Sequence, residues 1–464
     1  MSDKNNSILK DITQGFVPSL ASERIFGFWD LVFVQFGIAT SSLLLLYGGY
    51  TGVGLNAKDS IIAIAFSNAV PVFLTLPITV LFARYGIDTF VAFRSALGYL
   101  GSNFLFFLFA VLNLGYIAII AFMAGQAAIH LTGLINAPAF LTSRGTGAPL
   151  FSIIFFIIAY AIAYRGPLAI RKFTRIGVPM TIVTVVILGS ILFYTEGFGG
   201  VFALEPVENG LVAPIVEMNM GLGFSYLLFM GQYARLVKKE KDVFNASFLS
   251  WAILAPLVIM VGALFALKFR TLEPTDWMFD IGGAFFGSIF LAVLIIANLT
   301  VVTLIIYSQG VSFKTVFPKQ KWSIGLGTTI PCILLILNSS FYDVADIFMT
   351  MVGYVIAVLG GIVISDFYLV KKQVVNVREL YNPNGTYRYW KGINPAAVVS
   401  LVIGTVVYWI IYNPLTGESS VLFNFTTASI VTYFVSLISY YVSSRYIFAF
   451  KEKKKNQYIN RKSV

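Results

Sequence analysis

The sequence predicts an all-α integral membrane protein. Twelve transmembrane helices are expected, as two inverted five-helix repeats with two peripheral helices added. Three observations carry that expectation. Of 464 residues, 58% are hydrophobic and 11% charged, whereas a soluble domain carries roughly a quarter charged residues. Apolar runs near the length of about 20 residues that spans a bilayer recur along the chain. The basic residues alternate between the two sides of those runs. A single Cys and a single His rule out a disulfide within the chain and leave too few ligands for ordinary haem or zinc sites.

The runs lie near 29–50, 60–83, 101–133, 149–164, 176–195, 211–234, 246–267, 281–311, 323–338, 345–370, 395–412 and 421–447. The third and eighth are long, so they tilt or extend past the bilayer. Residues 1–28 are polar and mixed in charge. They lack the short apolar core of a signal peptide and read as a cytoplasmic tail. A transport core is expected over 29–371, with repeats at 29–195 and 211–371. A cytoplasmic loop over 372–394, two further helices over 395–447 and a basic cytoplasmic tail over 448–464 complete the chain.

Lys and Arg set the orientation of a membrane protein. With twelve spans, 28 of the 32 fall on the side of the termini. Only Lys58, Arg144, Lys268 and Arg270 fall on the other side. A wrong span count would scramble this alternation. Both termini are therefore expected in the cytoplasm, in a multi-pass protein of the cell membrane. The net charge of +11 is a matter of topology, and the lipid bilayer rather than nucleic acid is the expected partner.

Broken backbone inside a bilayer is tolerated only where protein or a cavity satisfies it. Breaks at matching positions in two halves point to a transporter's binding site. The first run contains Gly37-Ile38-Ala39-Thr40-Ser41, and the sixth contains Gly221-Leu222-Gly223-Phe224-Ser225. Each lies roughly 12–18 Å into its run, near the midplane. Such segments expose carbonyls for a small cation and half-helix N-termini for a polar substrate. Thr40, Ser41 and Ser225 add hydroxyls. Gly and Ser equally serve close helix packing.

In the eighth run Thr300, Thr303 and Tyr307 share one face, with Ile296 a turn earlier and Asn298 nearly opposite. That stripe is a candidate third wall, although such hydroxyls also bond back to their own helix. Glu217, one turn before Gly221, is the ionisable residue best placed within a span. Three roles are open to it: binding a proton, stabilising a polar substrate, or an ion pair near the outer mouth with a Lys such as Lys268. Asp30, Asp343, Asp346 and Asp366 fall at span ends, where the interface solvates them. His130 lies near the outer end of run 3, where a structural role is expected.

Other stretches carry a resemblance. Ile364-Ser365-Asp366-Phe367-Tyr368-Leu369-Val370-Lys371-Lys372 is followed by Leu380-Tyr381 and by Gly385-Thr386-Tyr387-Arg388-Tyr389-Trp390-Lys391-Gly392-Ile393-Asn394. Arg84-Tyr85-Gly86-Ile87 precedes Arg94, Gly98 and Gly101, and Phe317-Pro318-Lys319 follows run 8. Over roughly residues 25 to 412 the chain resembles the nucleobase–cation symporter-1 family, permeases for hydantoins, cytosine, uracil, allantoin, purines and thiamine-like compounds. The resemblance implies the same twelve-helix inverted-repeat fold, alternating access, and flat neutral heterocycles held between aromatic rings.

The resemblance also implies site residues. Tyr116 falls at the stacking position. Ile120, one turn on, stands where some members have a substrate-binding Gln. Ser41 falls at a substrate contact, and Gly37 and Thr40 at sodium-binding carbonyls. Gly223 or Phe224 falls at the second aromatic wall. Helix 8 departs most, keeping one hydroxyl, Thr300, where sodium-coupled members have two, with a carbonyl of Ile296 nearby. Substrate binding is thus expected at Ser41, Tyr116, Gly223, Phe224 and Thr303. Cation binding is expected at Gly37, Thr40, Ile296 and Thr300, with Glu217 as the alternative proton site.

The expected activity is secondary active import of a nucleobase or related heterocycle, coupled to sodium ion or proton, with no resident cofactor and no metal beyond that sodium. Alternatives are a transporter of amino acids or vitamins on the same fold, a uniporter, or a channel. An enzyme is not expected: the chain has neither a His-Glu-x-x-His nor a phosphate-binding Gly-x-x-x-x-Gly-Lys pattern.

Overall fold

The computed structural model describes residues 17–448, apart from Thr40 and Asn209. Most of the two expected tails therefore lies outside the described residues. The described chain is helical throughout, and isolated bridges take the place of any strand. Its first long apolar segment is broken into α1 (Phe28–Ala39) and α2 (Ser42–Gly54), bent by 57°. Eight further helices are long and apolar enough to cross a bilayer. They are α3 (Ala57–Tyr85), α4 (Tyr99–Leu134), α5 (Gly147–Tyr164), α6 (Lys172–Phe202), α7 (Val212–Ala234), α8 (Glu240–Phe269), α9 (Pro274–Val316) and, after a shorter apolar helix, Ala345–Val370. That shorter helix is α10 (Trp322–Leu337), which makes Ala345–Val370 α11; α12 (Pro395–Ile411) and α13 (Ala428–Val442) follow.

The length of the eighth run has a local cause. Gly283 takes φ 56° and ψ −162°, so α9 is a short outer piece followed by a long one. The third run is one continuous 36-residue helix, α4.

Small residues set the closest approaches. A Cβ at Gly48 or Gly52 of α2 would strike the backbone of Ile259 or Ala263 in α8, and one at Gly262 would strike Leu45. Without side chains there, the two backbones touch, as membrane helices do where small residues face each other. Gly221 of α7 and Gly353 of α11 repeat the device.

The two ends differ chemically. One end carries ion pairs between exposed or half-exposed groups: Arg144–Asp343 at 2.9 Å, Lys268–Glu196 at 2.5 Å and His130–Asp276 at 3.2 Å. The other has such pairs as well, Arg84–Glu240 at 2.9 Å and Arg175–Asp30 at 2.6 Å, but adds a buried polar cluster. Lys371 Nζ meets Asp366 Oδ1 at 2.5 Å, with the side chains 6% and 1% exposed. Asp366 also accepts from Ser95 Oγ at 2.8 Å and from the Tyr440 hydroxyl at 2.7 Å. Lys371 and Tyr389 both donate to the Ser95 carbonyl at 2.6 Å. Arg94, also buried, donates to the carbonyls of Leu380 at 3.0 Å and Thr315 at 3.1 Å. The segments that carry the family resemblance are thereby tied together. Asp366 corrects the expectation of a solvated span end: a neighbouring lysine and two hydroxyls replace water.

Candidate functional site

The site is built around the break between α1 and α2. Ser41 has extended backbone, φ −100° and ψ 163°, and makes no side-chain cap. A helix start leaves N–H groups without partners. Here the acceptor comes from another helix: the Ser42 N–H donates to Asn298 Oδ1 of α9 at 2.8 Å. The Asn298 amide donates in turn to the Ile120 carbonyl of α4 at 3.3 Å. One side chain therefore fixes three helices at the break. Ser41 Oγ is buried without a partner and lines a small apolar-walled cavity of about 20 Å³ with Thr181, Met278, Phe290 and Ala297.

Beside the break, α1, α6 and α9 converge on Thr300. A Cβ at Gly37 would lie 3.6 Å from Thr300 Cγ2, and one at Gly177 would lie 2.9 Å from its Oγ1. Thr300 Oγ1 donates to the Ile296 carbonyl at 3.1 Å. A hydroxyl that donates in this way keeps lone pairs for a cation. Gly37, Ile296 and Thr300 are thus close neighbours, whereas Thr40 lies outside the described residues.

Tyr116 is buried on α4, edge-on to Phe348 at 5.4 Å. Its hydroxyl has no protein partner and faces Ser225, whose Oγ donates to the Leu222 carbonyl at 2.7 Å. Tyr47 of α2 and Tyr226 of α7 bring two more buried hydroxyls without partners into electrostatic range. Tyr226 stacks on Trp251 of α8 at 4.9 Å and 2°. Trp251 lies in a π-helical turn, Phe248–Leu254, a feature frequent at functional sites. Its Nε1 donates to the Gln35 carbonyl at 3.2 Å. Both amide atoms of the Gln35 side chain are buried and unpartnered.

Other expected residues lie elsewhere. Gly221 and Gly223 are not in a broken segment: α7 is helical through Ser225 and irregular only at Tyr226, which keeps helical φ and ψ. Both are packing glycines, Gly221 against Met349 and Gly353, Gly223 against Pro71 and Asn68. A second matched break is thus absent, because close contact with α3 and α11 is what these glycines serve. The Phe224 ring lies 5.9 Å from Tyr433 of α13. Thr303 donates to the Ala159 carbonyl of α5 at 3.4 Å, and Tyr307 is edge-on to Trp322 of α10. Thr303 and Tyr307 therefore face α5 and α10, while Thr300 of the same stripe lies beside the break and Asn298, on the opposite side, reaches it.

Glu217 is fully buried and accepts the Ser429 N–H at 3.1 Å and the Ser429 hydroxyl, in the first turn of α13. A carboxylate at a helix N-terminus is favourable. Tyr408 of α12 faces the same group. Of the roles left open for Glu217, the pairing with Lys268 is not formed: Lys268 takes Glu196. His130 pairs with Asp276 and stacks on Phe279, a structural role.

Sequence reasoning missed Gln35, Tyr47, Tyr226, Trp251 and the cap supplied by Asn298. The amides stood out as polar residues inside apolar runs, but their direction depends on helix rotation, which one sequence leaves open.

A broken first helix, pinned by an amide from a distant helix beside buried unpaired polar groups, is the geometry of a membrane transporter. The family model described as "Permease for cytosine/purines, uracil, thiamine, allantoin" matches residues 17–436, and the chain belongs to that family. It is 26% identical over 427 residues to the purine-uracil permease NCS1 of Arabidopsis thaliana, covering 84% of this chain and 69% of that one. It is 23% identical over 420 residues to the hydantoin permease of Microbacterium maritypicum, covering 84% and 82%. Among solved structures it is similar to Mhp1, a nucleobase-cation-symport-1 family transporter, closed with bromovinylhydantoin bound. The TM-score is 0.77 at 19% identity, over 92% of this chain and 93% of that one. Mhp1 facing inward gives 0.76 at 18% identity, with the same coverage. The likeness extends to two conformations of one transporter.

Proposed function

We propose that this permease imports a neutral planar heterocycle of the nucleobase or hydantoin type by alternating access, coupled to a cation. The observation that carries the reading is the capped break at Ser41–Ser42 beside buried, unpaired hydroxyls and amides. Unpaired groups of this kind are costly to bury, and a polar substrate would satisfy them. We read the chain as twelve spans in two inverted repeats with both termini cytoplasmic; the pairing of the helices supports the repeats. The first helix lies on α8 and α6 as α7 lies on α3 and α11, and α4 lies on α5 as α9 lies on α10. Residues 29–371 form the transport core in this reading, and α12 and α13 are additions.

Ser41 and Tyr116 contact the substrate. The carbonyls of Gly37 and Ile296 and the Thr300 hydroxyl hold a co-transported sodium ion, whose hard character suits neutral oxygens. The amino-acid alternative loses its partner for an ammonium group, because Glu217 is engaged by Ser429. Uptake into proteoliposomes tests the reading, with uracil, cytosine, allantoin, hydantoin and hypoxanthine under sodium or proton gradients. At least one accumulates against its gradient with inward sodium, and Thr300→Val removes the sodium dependence. Folded protein that accumulates none overturns the proposal. Proton-driven uptake abolished by Glu217→Gln would move coupling to that carboxylate.

A further inference from the structure

Three buried phenol hydroxyls come from three different helices of the bundle. They belong to Tyr47 of α2, Tyr116 of α4 and Tyr226 of α7, and each is buried without a hydrogen-bond partner. They sit within electrostatic range of one another, Tyr47 with both of the others and Tyr226 with Tyr116. Two other tyrosines, Tyr381 and Tyr408, are also without a partner, each alone beside charged groups, but several in the bundle find one. Tyr233 meets Ser308 at 2.9 Å, Tyr433 donates to the Leu74 carbonyl at 3.0 Å and Tyr440 to Asp366 at 2.7 Å. Buried phenols normally end this way, so three orphans at one place indicate a ligand that completes them.

The surroundings define its chemistry. Tyr226 lies parallel to Trp251 at 4.9 Å, and the indole is fixed by its bond to the Gln35 carbonyl. That holds the Tyr226 hydroxyl in a fixed direction. Phe224, expected as an aromatic wall, is occupied by Tyr433. The buried carboxylate of the same helix, Glu217, is taken by Ser429. A phenol hydroxyl donates to a carbonyl or accepts from an N–H, so several at one edge suit a ring that alternates the two groups.

Building on the permease reading, we propose that Tyr47 and Tyr226 are specificity-determining residues that, with Tyr116, bind the –CO–NH– edge of a neutral ring, Trp251 backing the Tyr226 ring so that its hydroxyl is held toward that edge. Loss of either hydroxyl weakens recognition of ring N–H and C=O groups while leaving the fold intact. Ring N-methylation, which removes donors, is rejected by the native site and tolerated better without the hydroxyls.

The test is uptake by full-length protein in proteoliposomes, using uracil, hydantoin and their N,N′-dimethyl counterparts, for wild type, Tyr47→Phe, Tyr226→Phe and Tyr433→Phe. The expected result is a KM for the better unmethylated substrate raised about tenfold in Tyr47→Phe and Tyr226→Phe. Their discrimination against the methylated ring narrows, and thermal unfolding without substrate is unchanged or higher. Tyr433→Phe, which removes a partnered hydroxyl, unfolds at lower temperature and keeps the wild-type KM. Wild type that accumulates neither unmethylated ring overturns this inference; if cytosine, allantoin and hypoxanthine also fail, the permease reading falls with it. Wild type that accumulates one, with unchanged KM and selectivity in both Phe variants, overturns the inference alone.

Discussion

The cluster around Asp366 at the basic end and the middle of the bundle both bury polar side chains, and they treat them differently. At the end, Asp366, Lys371, Ser95, Tyr389 and Tyr440 satisfy one another. In the middle, Gln35, Ser41, Tyr47, Tyr116 and Tyr226 carry buried atoms with no partner. A satisfied buried network rigidifies a structure. An unsatisfied buried group costs about 1–3 kcal/mol. The contrast separates scaffold from site: the end locks α11, α13 and the loop around Ser95 together, while the middle keeps hydrogen-bonding capacity in reserve for a substrate.

The largest effect expected from this contrast is at the end. Lys371→Met leaves Asp366 buried without its cation, and removing one member of a buried pair costs about 3–5 kcal/mol. Denaturation of the purified protein in detergent should show the loss, and Asp366→Asn combined with Lys371→Met should recover part of it. A Lys371→Met protein as stable as wild type would erase the distinction.

Next in size is Asn298→Ala. It removes the cap of α2 and leaves the Ser42 N–H unpaired at the break, at a cost of about 1–3 kcal/mol. Thermal unfolding should fall and uptake should fall further, because the break that exposes Ser41 loses its brace.

In the middle the sign reverses. Gln35→Leu replaces an unpartnered amide by an apolar side chain, so stability without substrate should hold or rise by about 1 kcal/mol. Substrate affinity should drop. A fall in substrate-free stability would show that Gln35 is scaffold.

The smallest effect is at the acidic end, outside the spans. Burial pushes the Glu273 carboxyl up to about 7, against the opposing hydrogen bond from Tyr342. Asp276 and Asp343 add to the rise, and Arg144 works against it. A folded pKa above the unfolded one of 4.5 means stability is fully present below that value and is lost as pH rises to about 7. Unfolding temperature should decline over that window and level off above it, and Glu273→Gln should flatten the decline.

Much of the fold was legible in the sequence, because apolar length and charge placement are properties of composition along the chain. The break between α1 and α2 was legible too, in the run Gly37-Ile38-Ala39-Thr40-Ser41 that interrupts an apolar stretch. Gly221 and Gly223 misled, since a glycine that opens a helix and one that lets another helix close on it look alike in sequence. The helix 9 stripe misled through rotation: Thr303 and Tyr307 share a face as expected, yet that face meets α5 and α10. Asp366 looked solvated because its partners, Ser95 and Tyr440, are distant in sequence.

The most direct measurement is a structure of the protein with a transported heterocycle bound. The ring should lie beside the Tyr226–Trp251 pair, with its carbonyl and N–H groups about 3 Å from the hydroxyls of Tyr47, Tyr116 and Tyr226. A ring bound elsewhere, with those hydroxyls still without partners, would contradict the assignment of the middle of the bundle as the site.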